Sequence, residues 1–305
     1  MAAPLNTRFA PLPNRQAAAE RITTPPISFL ADAWRRFKAN RMALFGFSVI
    51  VLFILAAFLG PLITPHGYAD QILEMRDKPP SAEYWFGTDS VGRDLFVRVL
   101  IGGRISLAVA FYAGLLQLAV GVVYGATSGL LGGKWDNLMM RIVDIIDTIP
   151  LTIYVILLTV ILTPGLTSIF LAIGIVYWTS MARLVRAQVL SLKEQEFMLA
   201  ARALGASQWR LVLRHLIPNA MAPIIVELTF SIPRAIFTES FLSFIGLGVS
   251  APMASWGVLA SDGFKGLRSY PWELAFPAAA IILTTLAFNF VGDGLRDALD
   301  PKLRR

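Results

Sequence analysis

The sequence predicts an all-α integral membrane protein with six transmembrane helices and a short interfacial helix ahead of the first. Three observations carry that expectation. Of 305 residues, 56% are hydrophobic and 15% charged, a balance too apolar for the surface of a soluble domain of this length. The apolar residues fall in charge-poor runs that, at about 1.5 Å per residue, are long enough to cross a hydrocarbon core of about 30 Å. The basic residues stand mainly beside those runs, not in one patch interleaved with aromatics. The net charge of +7 therefore reads as a topology signal and not as a nucleic-acid surface. The chain has no cysteine, which excludes disulfides and thiolate-bound metal. Its two histidines, His66 and His215, lie far apart, and no cluster has metal-ligand spacing.

Residues 1–26 hold Pro4, Pro11, Pro13, Pro25 and Pro26 without an apolar period, the composition of a disordered tail. They lack the apolar core and cleavage site of a signal peptide. From Ile27 to Arg41, Phe29, Leu30, Ala33, Trp34 and Phe37 keep helical spacing while Arg35, Arg36, Lys38 and Arg41 take other faces, which predicts an interfacial helix. Met42–Pro65 carries no charge and forms the first span. In the polar segment 66–104, Thr88, Asp89 or Ser90 is placed to cap a short helix whose Leu95, Phe96, Val99 and Leu100 face the membrane. Ile105–Gly133 is the second span. Its Gly114, Gly121, Gly125 and Gly129 lie on one face, a stripe suited to close helix approach.

Met139–Leu190 reads as a helical hairpin turning at Thr163-Pro164-Gly165. Counting outward from the turn, Asp147 comes level with Arg183 and Asp144 with Arg186. That predicts two ion pairs at one membrane boundary, with separate snorkelling to the headgroups as the alternative. Lys193–Asn219 is a polar island between membrane-length apolar segments, expected to form two short helices. Glu194 and Glu196 favour the first start, Gly205 closes that helix, Ser207 caps the next and Pro218 stops it. Its Phe197, Leu199, Ala200, Leu204, Trp209, Leu213 and Leu216 are too many for a solvated loop, and they suit either a loop on lipid headgroups or a gripped surface. The fifth span, Ala220–Ile245, carries Pro223, Pro233, Glu227, Arg234 and Glu239, which fit either a path lining or a paired structural kink. A polar and aromatic loop, 246–273, leads to the sixth span, Leu274–Gly292. Placing both termini, the loop near Lys134 and the island 193–219 on one side gathers 19 of the 27 Lys and Arg, which makes that side cytoplasmic.

Several of these segments resemble one family. Leu199-Ala200-Ala201, Gly205 and Ile217-Pro218 are similar to the EAA loop of binding-protein-dependent ABC importer permeases, the helix pair that docks on the ATPase subunit. Leu199 stands where the family carries glutamate, as in the peptide-importing branch, so no carboxylate contact is expected there. Gly87-Thr88-Asp89, Gly92-Arg93-Asp94, Arg98, Gly103 and Arg104-Ser106 resemble the segment opening the core of C-type dipeptide and oligopeptide permeases. Gly246-Leu247-Gly248-Val249, Ser255-Trp256-Gly257 and the ending Asp293–Arg304 are similar to that type as well, so the likeness spans residues 28–305.

The resemblance implies a type I ABC importer permease fold in a bacterial or archaeal cytoplasmic membrane. It divides the chain into a cytoplasmic tail (1–26), a leading segment (27–104), a permease core (105–296) with its coupling loop at 193–219, and a C-terminal tail (297–305). It implies a non-catalytic translocation subunit for peptides, partnered by a B-type permease, two ATPases that bind ATP and Mg, and an extracytoplasmic peptide-binding protein. No cofactor or metal is expected in this chain.

By the same likeness, Leu199, Ala200, Ala201, Arg202, Gly205, Ala206, Ser207, Trp209 and Pro218 would serve ATPase coupling, while Glu227, Arg234 and Glu239 are path candidates as charges within a span. Gly246, Gly248, Ser255 and Trp256 would meet the binding protein, while Gly87, Thr88, Asp89, Gly92, Arg93, Asp94 and Arg98 form a structural motif. The only GK pair near a nucleotide-loop pattern, Gly133-Lys134, is followed by Trp135, so ATP hydrolysis by this chain is not expected. Nickel as cargo, a self-contained secondary transporter and a membrane enzyme are the competing readings.

Overall fold

The computed structural model describes residues 28–300; the N-terminal tail and residues 301–305 lie outside the described residues. Among these the chain is helical, with a single isolated bridge, Thr88 to Asp94, as its only β pairing. Five helices are long and apolar enough to cross a membrane, six if the bent pair Gly133–Thr148 and Leu151–Ile161 is counted as one crossing.

Helix α1 (Phe29–Ala39) is capped by Ser28, and Asn40 caps α2 (Arg41–Leu59) by accepting from the amides of Met42 and Ala43. One residue thus turns the chain from interface into membrane. The second crossing begins earlier than the charge pattern suggests. Asp94, not Thr88, Asp89 or Ser90, caps α3 (Leu95–Leu116), which continues through a π turn into α4 (Val123–Leu131). Leu95, Val99 and Leu100 are buried against the fold and do not face lipid.

The hairpin arms are not straight. Helix α5 (Gly133–Thr148) meets α6 (Leu151–Ile161) at an angle of 76°, because Pro150 cannot donate to the helical ladder. On the return, α7 (Leu166–Val176) and α8 (Trp178–Leu192) join at Tyr177. The glycine stripe lies against α8: a Cβ on Gly125 would stand 2.2 Å from the Ala182 carbonyl oxygen, and one on Gly121 2.7 Å from that of Trp178. Gly114 instead faces Leu228 of the fifth crossing.

That crossing is α11 (Ile217–Leu242), entered from α9 (Glu196–Ala203) and α10 (Gln208–Leu211). Pro218 does not stop the preceding helix: a π turn over Val212–Leu216 carries α10 into α11, widening the ladder where the proline removes a donor. The loop 246–273 contains α12 (Trp256–Lys265), packed against α3 and α13 (Pro271–Leu299). The sixth crossing therefore runs seven residues past Gly292 and takes in the start of the expected C-terminal tail.

Two cores result. One joins α3, α7, α11, α12 and α13 around Val109, Ile173, Ile236 and Trp256. The other joins α4, α8, α9, α10 and the start of α11 around Met181, Val189, Met198 and Leu216.

Candidate functional site

Helices α9 and α10 form a two-faced platform. Helix α9 ends in a Schellman turn, with the amide of Ala206 on the Ala201 carbonyl at 3.1 Å and that of Gly205 on Arg202 at 2.9 Å. Gly205 holds φ at +79°, a conformation that a residue with Cβ adopts only under strain. Ser207 then accepts from the Arg210 amide and starts α10. Met198, Ala201, Leu211, Val212 and Leu216 are buried on Val185, Val189 and Ala126. On the opposite side Leu199, Trp209 and Leu213 are more than half exposed, and Leu204 is 88% exposed. Ala200, Arg202, Gly205, Ser207 and Pro218 are exposed as well, with Ala206 half-buried. The platform is anchored through one apolar face and offers the other.

A cleft of ≈ 360 Å³ with several polar side chains at its wall lies between α5, α6, α8 and α11, lined by Asp147, Tyr177, Thr179, Ser180, Arg234 and Thr238 together with Leu151 and Val176. The Tyr177 hydroxyl sits 2.8 Å from Thr238 Oγ1. Arg234 is 56% exposed and reaches Glu227 only loosely, at 3.7 Å. Glu239 does not share this cleft. It is fully buried and accepts from the hydroxyls of Ser106 at 2.8 Å and Ser243 at 2.7 Å, so it ties α3 to α11 instead of lining a path.

Of the two expected ion pairs, Asp147–Arg183 forms and Asp144–Arg186 does not. Arg183 bridges Asp147 and Asp144, the latter at 3.1 Å. Arg186 does not reach Asp144; it forks onto both carboxylate oxygens of Asp136 at 2.6 Å, and Ser128 donates to the same carboxylate. The bend at Pro150 is the physical cause, because counting from the hairpin turn assumes straight arms.

On the side away from the platform, Thr88, Asp89, Arg93, Asp94 and Arg98 are buried. Asp89 pairs with Arg93 at 2.7 Å and with Arg98 at 3.4 Å, while Arg98 also donates to the carbonyls of Tyr68 and Pro252. Asp94 holds His66 at 2.9 Å. These charges clasp segment 66–94, the start of α3 and the loop before α12. Gly87 and Gly92, both with positive φ, turn the chain within that clasp.

Ser255 and Trp256 are buried too: the Trp256 indole donates to the Val99 carbonyl at 2.8 Å and rests on Gly103. They offer no surface to a partner. Gly248 is likewise buried against Ser243, whereas Gly246 is exposed.

A family model described as binding-protein-dependent transport system inner membrane component matches residues 121–305, and one for the N-terminal TM domain of oligopeptide transport permease C matches residues 28–80. The chain belongs to the binding-protein-dependent inner membrane component family. This inner membrane component is 50% identical over 297 residues to the oligopeptide transport system permease protein OppC of Bacillus subtilis, covering 97% of each chain. It is 47% identical to the dipeptide permease protein DppC of the same species, covering 96% of this chain and 91% of that one. To Escherichia coli K12 OppC it is 46% identical over 94% of this chain and 95% of the relative. In fold it is similar to inward-facing MetNI methionine ABC transporter structures, with a TM-score of 0.56 at 19% identity over 67% of this chain and 96% of that one.

Three side chains central to the inner membrane component's polar sites escape sequence reasoning. Asp136 sits in a helix start whose neighbouring Lys134 speaks only to topology. Tyr177 and Thr238 are ordinary residues of apolar spans, brought together by the break between α7 and α8.

Proposed function

We infer that this chain is the translocation subunit of an ATP-driven importer of dipeptides or oligopeptides, forming the pathway with a second permease and coupling to two ATPases. The observation that carries the reading is the exposed apolar face of α9 and α10 on a platform whose other face is locked into the α4–α8 core. Leu199, Leu204, Trp209 and Leu213 form a hydrophobic patch of the kind that marks a protein contact. The peptide names of the OppC and DppC relatives supply the cargo class.

Both termini and the platform lie on the cytoplasmic side in this reading. ATPase closure moves α9 and α10, and the continuity of α10 with α11 carries that motion to the cleft at Arg234. Arg234, with Asp147 and Tyr177, lines the peptide's way. An extracytoplasmic binding protein meets the exposed loop around Gly246, Ser250 and Met253 in place of the buried Ser255 and Trp256. ATP and Mg belong to the ATPases, and this chain does no chemistry itself.

The test is peptide uptake into proteoliposomes holding the whole complex. Leu204→Asp with Trp209→Asp is expected to abolish ATP-driven uptake and release the ATPases while leaving the permease folded. Normal uptake by that variant overturns the reading.

A further inference from the structure

One cationic side chain has no place in the platform, the cleft or the buried clasp. Arg104 lies on α3, and its Nε donates to the Ala57 carbonyl at 2.6 Å and its Nη2 to that of Phe58 at 3.2 Å, in the last turn of α2. Counted along α2 from its cap at Asn40, that turn stands roughly 25 Å across the membrane, near the far boundary of a hydrocarbon core of about 30 Å. A guanidinium at that depth needs a counter-charge or water. Among the described residues no carboxylate comes within 4.0 Å of it. Its two carbonyl bonds use two of five N–H donors. One face of the guanidinium covers the Phe58 ring at 5.3 Å.

Below Arg104 a groove of ≈ 380 Å³ opens between α2 and α3. Ile54 and Phe58 line it from α2, Leu107 and Phe111 from α3, with Ile232 and Phe288 contributed by α11 and α13. The helices α2 and α3 run in opposite directions, so Ile54 lies a turn deeper than Phe58, and Phe111 two turns deeper than Arg104. The groove therefore descends about 10 Å into the core, well over half the depth of one leaflet. It is open at the side, where Phe111 is 73% exposed and Phe58 56%. Apart from the arginine its walls are apolar.

We propose that this groove binds one anionic phospholipid of the leaflet away from the coupling platform, its phosphate on the free donors of Arg104 and one acyl chain between α2 and α3. The occupant follows from the arrangement: a single charged donor set at the headgroup boundary above an apolar channel aligned with the membrane normal matches a phosphate ester of a lipid. The proposal does not depend on the cargo or the ATPase contact.

The test uses the whole transporter complex purified in mild detergent, incubated with phosphatidylglycerol or phosphatidylcholine and read by native mass spectrometry. One phosphatidylglycerol per copy of this chain is expected to be retained, with phosphatidylcholine held about tenfold less: both offer a phosphate to the guanidinium, but the choline cation beside it opposes Arg104. Arg104→Gln should lose that preference. Ala108→Phe, which fills the groove from an exposed position without touching the carbonyl bonds, should lose retention of both lipids. Arg104→Lys should keep most of the preference. Equal retention of the two lipids by the native chain, or retention unchanged by Arg104→Gln and Ala108→Phe, overturns the proposal. So does a photocrosslink from a benzophenone amino acid in place of Phe111 to a second permease subunit in the intact complex, because that places protein in the groove.

Discussion

The clasp at residues 87–98 and the platform at 196–216 are held together by opposite physics. The clasp buries five charged or polar side chains, each with a partner, and shows little of itself. The platform is fixed by aliphatic side chains alone and leaves its remaining apolar residues in the open. Both regions carry dense sequence motifs, so motif strength does not separate a contact surface from internal glue. What separates them is whether the polar groups find partners within the chain. Where they do, as with Asp89 and Arg98, the motif holds the fold. Where apolar groups find none, as with Leu204 and Trp209, the surface stays exposed, and it is the one proposed here for the ATPase contact.

That contrast breaks first at the clasp. Asp89→Ala leaves Arg93 and Arg98 buried without their carboxylate, a change expected to cost about 3–5 kcal/mol. It should appear as loss of monodisperse protein in detergent and a large fall in the unfolding midpoint. A midpoint unchanged from the native chain would mean that the clasp is not structural glue.

Gly205→Pro attacks the platform without touching its core. Proline cannot take φ of +79°, so the Schellman turn must reorganise. Peptide uptake should be lost while the membrane helices stay inserted, as read by protease mapping. Gly205→Ala, strained by about 1–2 kcal/mol, should keep partial uptake.

The smallest effect separates the two aspartate–arginine sites. Asp136→Asn removes the charge from a buried fork and should lower the unfolding midpoint clearly. Asp144→Asn, at a half-exposed carboxylate that shares Arg183 with Asp147, should cost under about 1 kcal/mol. Equal midpoints for the two variants would erase the distinction drawn between them.

Much of this architecture is legible in the residues. Charge-free runs mark the crossings, the spacing of Gly121, Gly125 and Gly129 marks the face laid on α8, and Ser207 and Gly205 mark the break between α9 and α10. One group of errors has a common origin, which is that local patterns carry no information about bends. The π turns at 117–122 and 212–216 leave no mark in hydropathy, so Pro218 reads as a stop when it sits inside a continuous crossing. The bend at Pro150 shifts the register, and Arg186 lands on Asp136.

Burial in a polar neighbourhood is equally silent. Trp256 lies in a loop of Ser, Gly and Pro and reads as a surface aromatic, but Gly103 on a distant helix makes room for it. Glu239 reads as a path charge because one of the two serines that satisfy it, Ser106, is 133 residues away.

The central claim is that the exposed face of α9 and α10 is where the ATPases hold this chain. The most direct measurement is purification from the native membrane in mild detergent, with mass spectrometry of the copurifying chains, for the native protein and for Leu204→Asp with Trp209→Asp. The account predicts a second permease and two ATPases with the native chain, and the second permease alone with the variant. ATPases retained in full by the variant, or a native chain that stays alone after crosslinking, would contradict it.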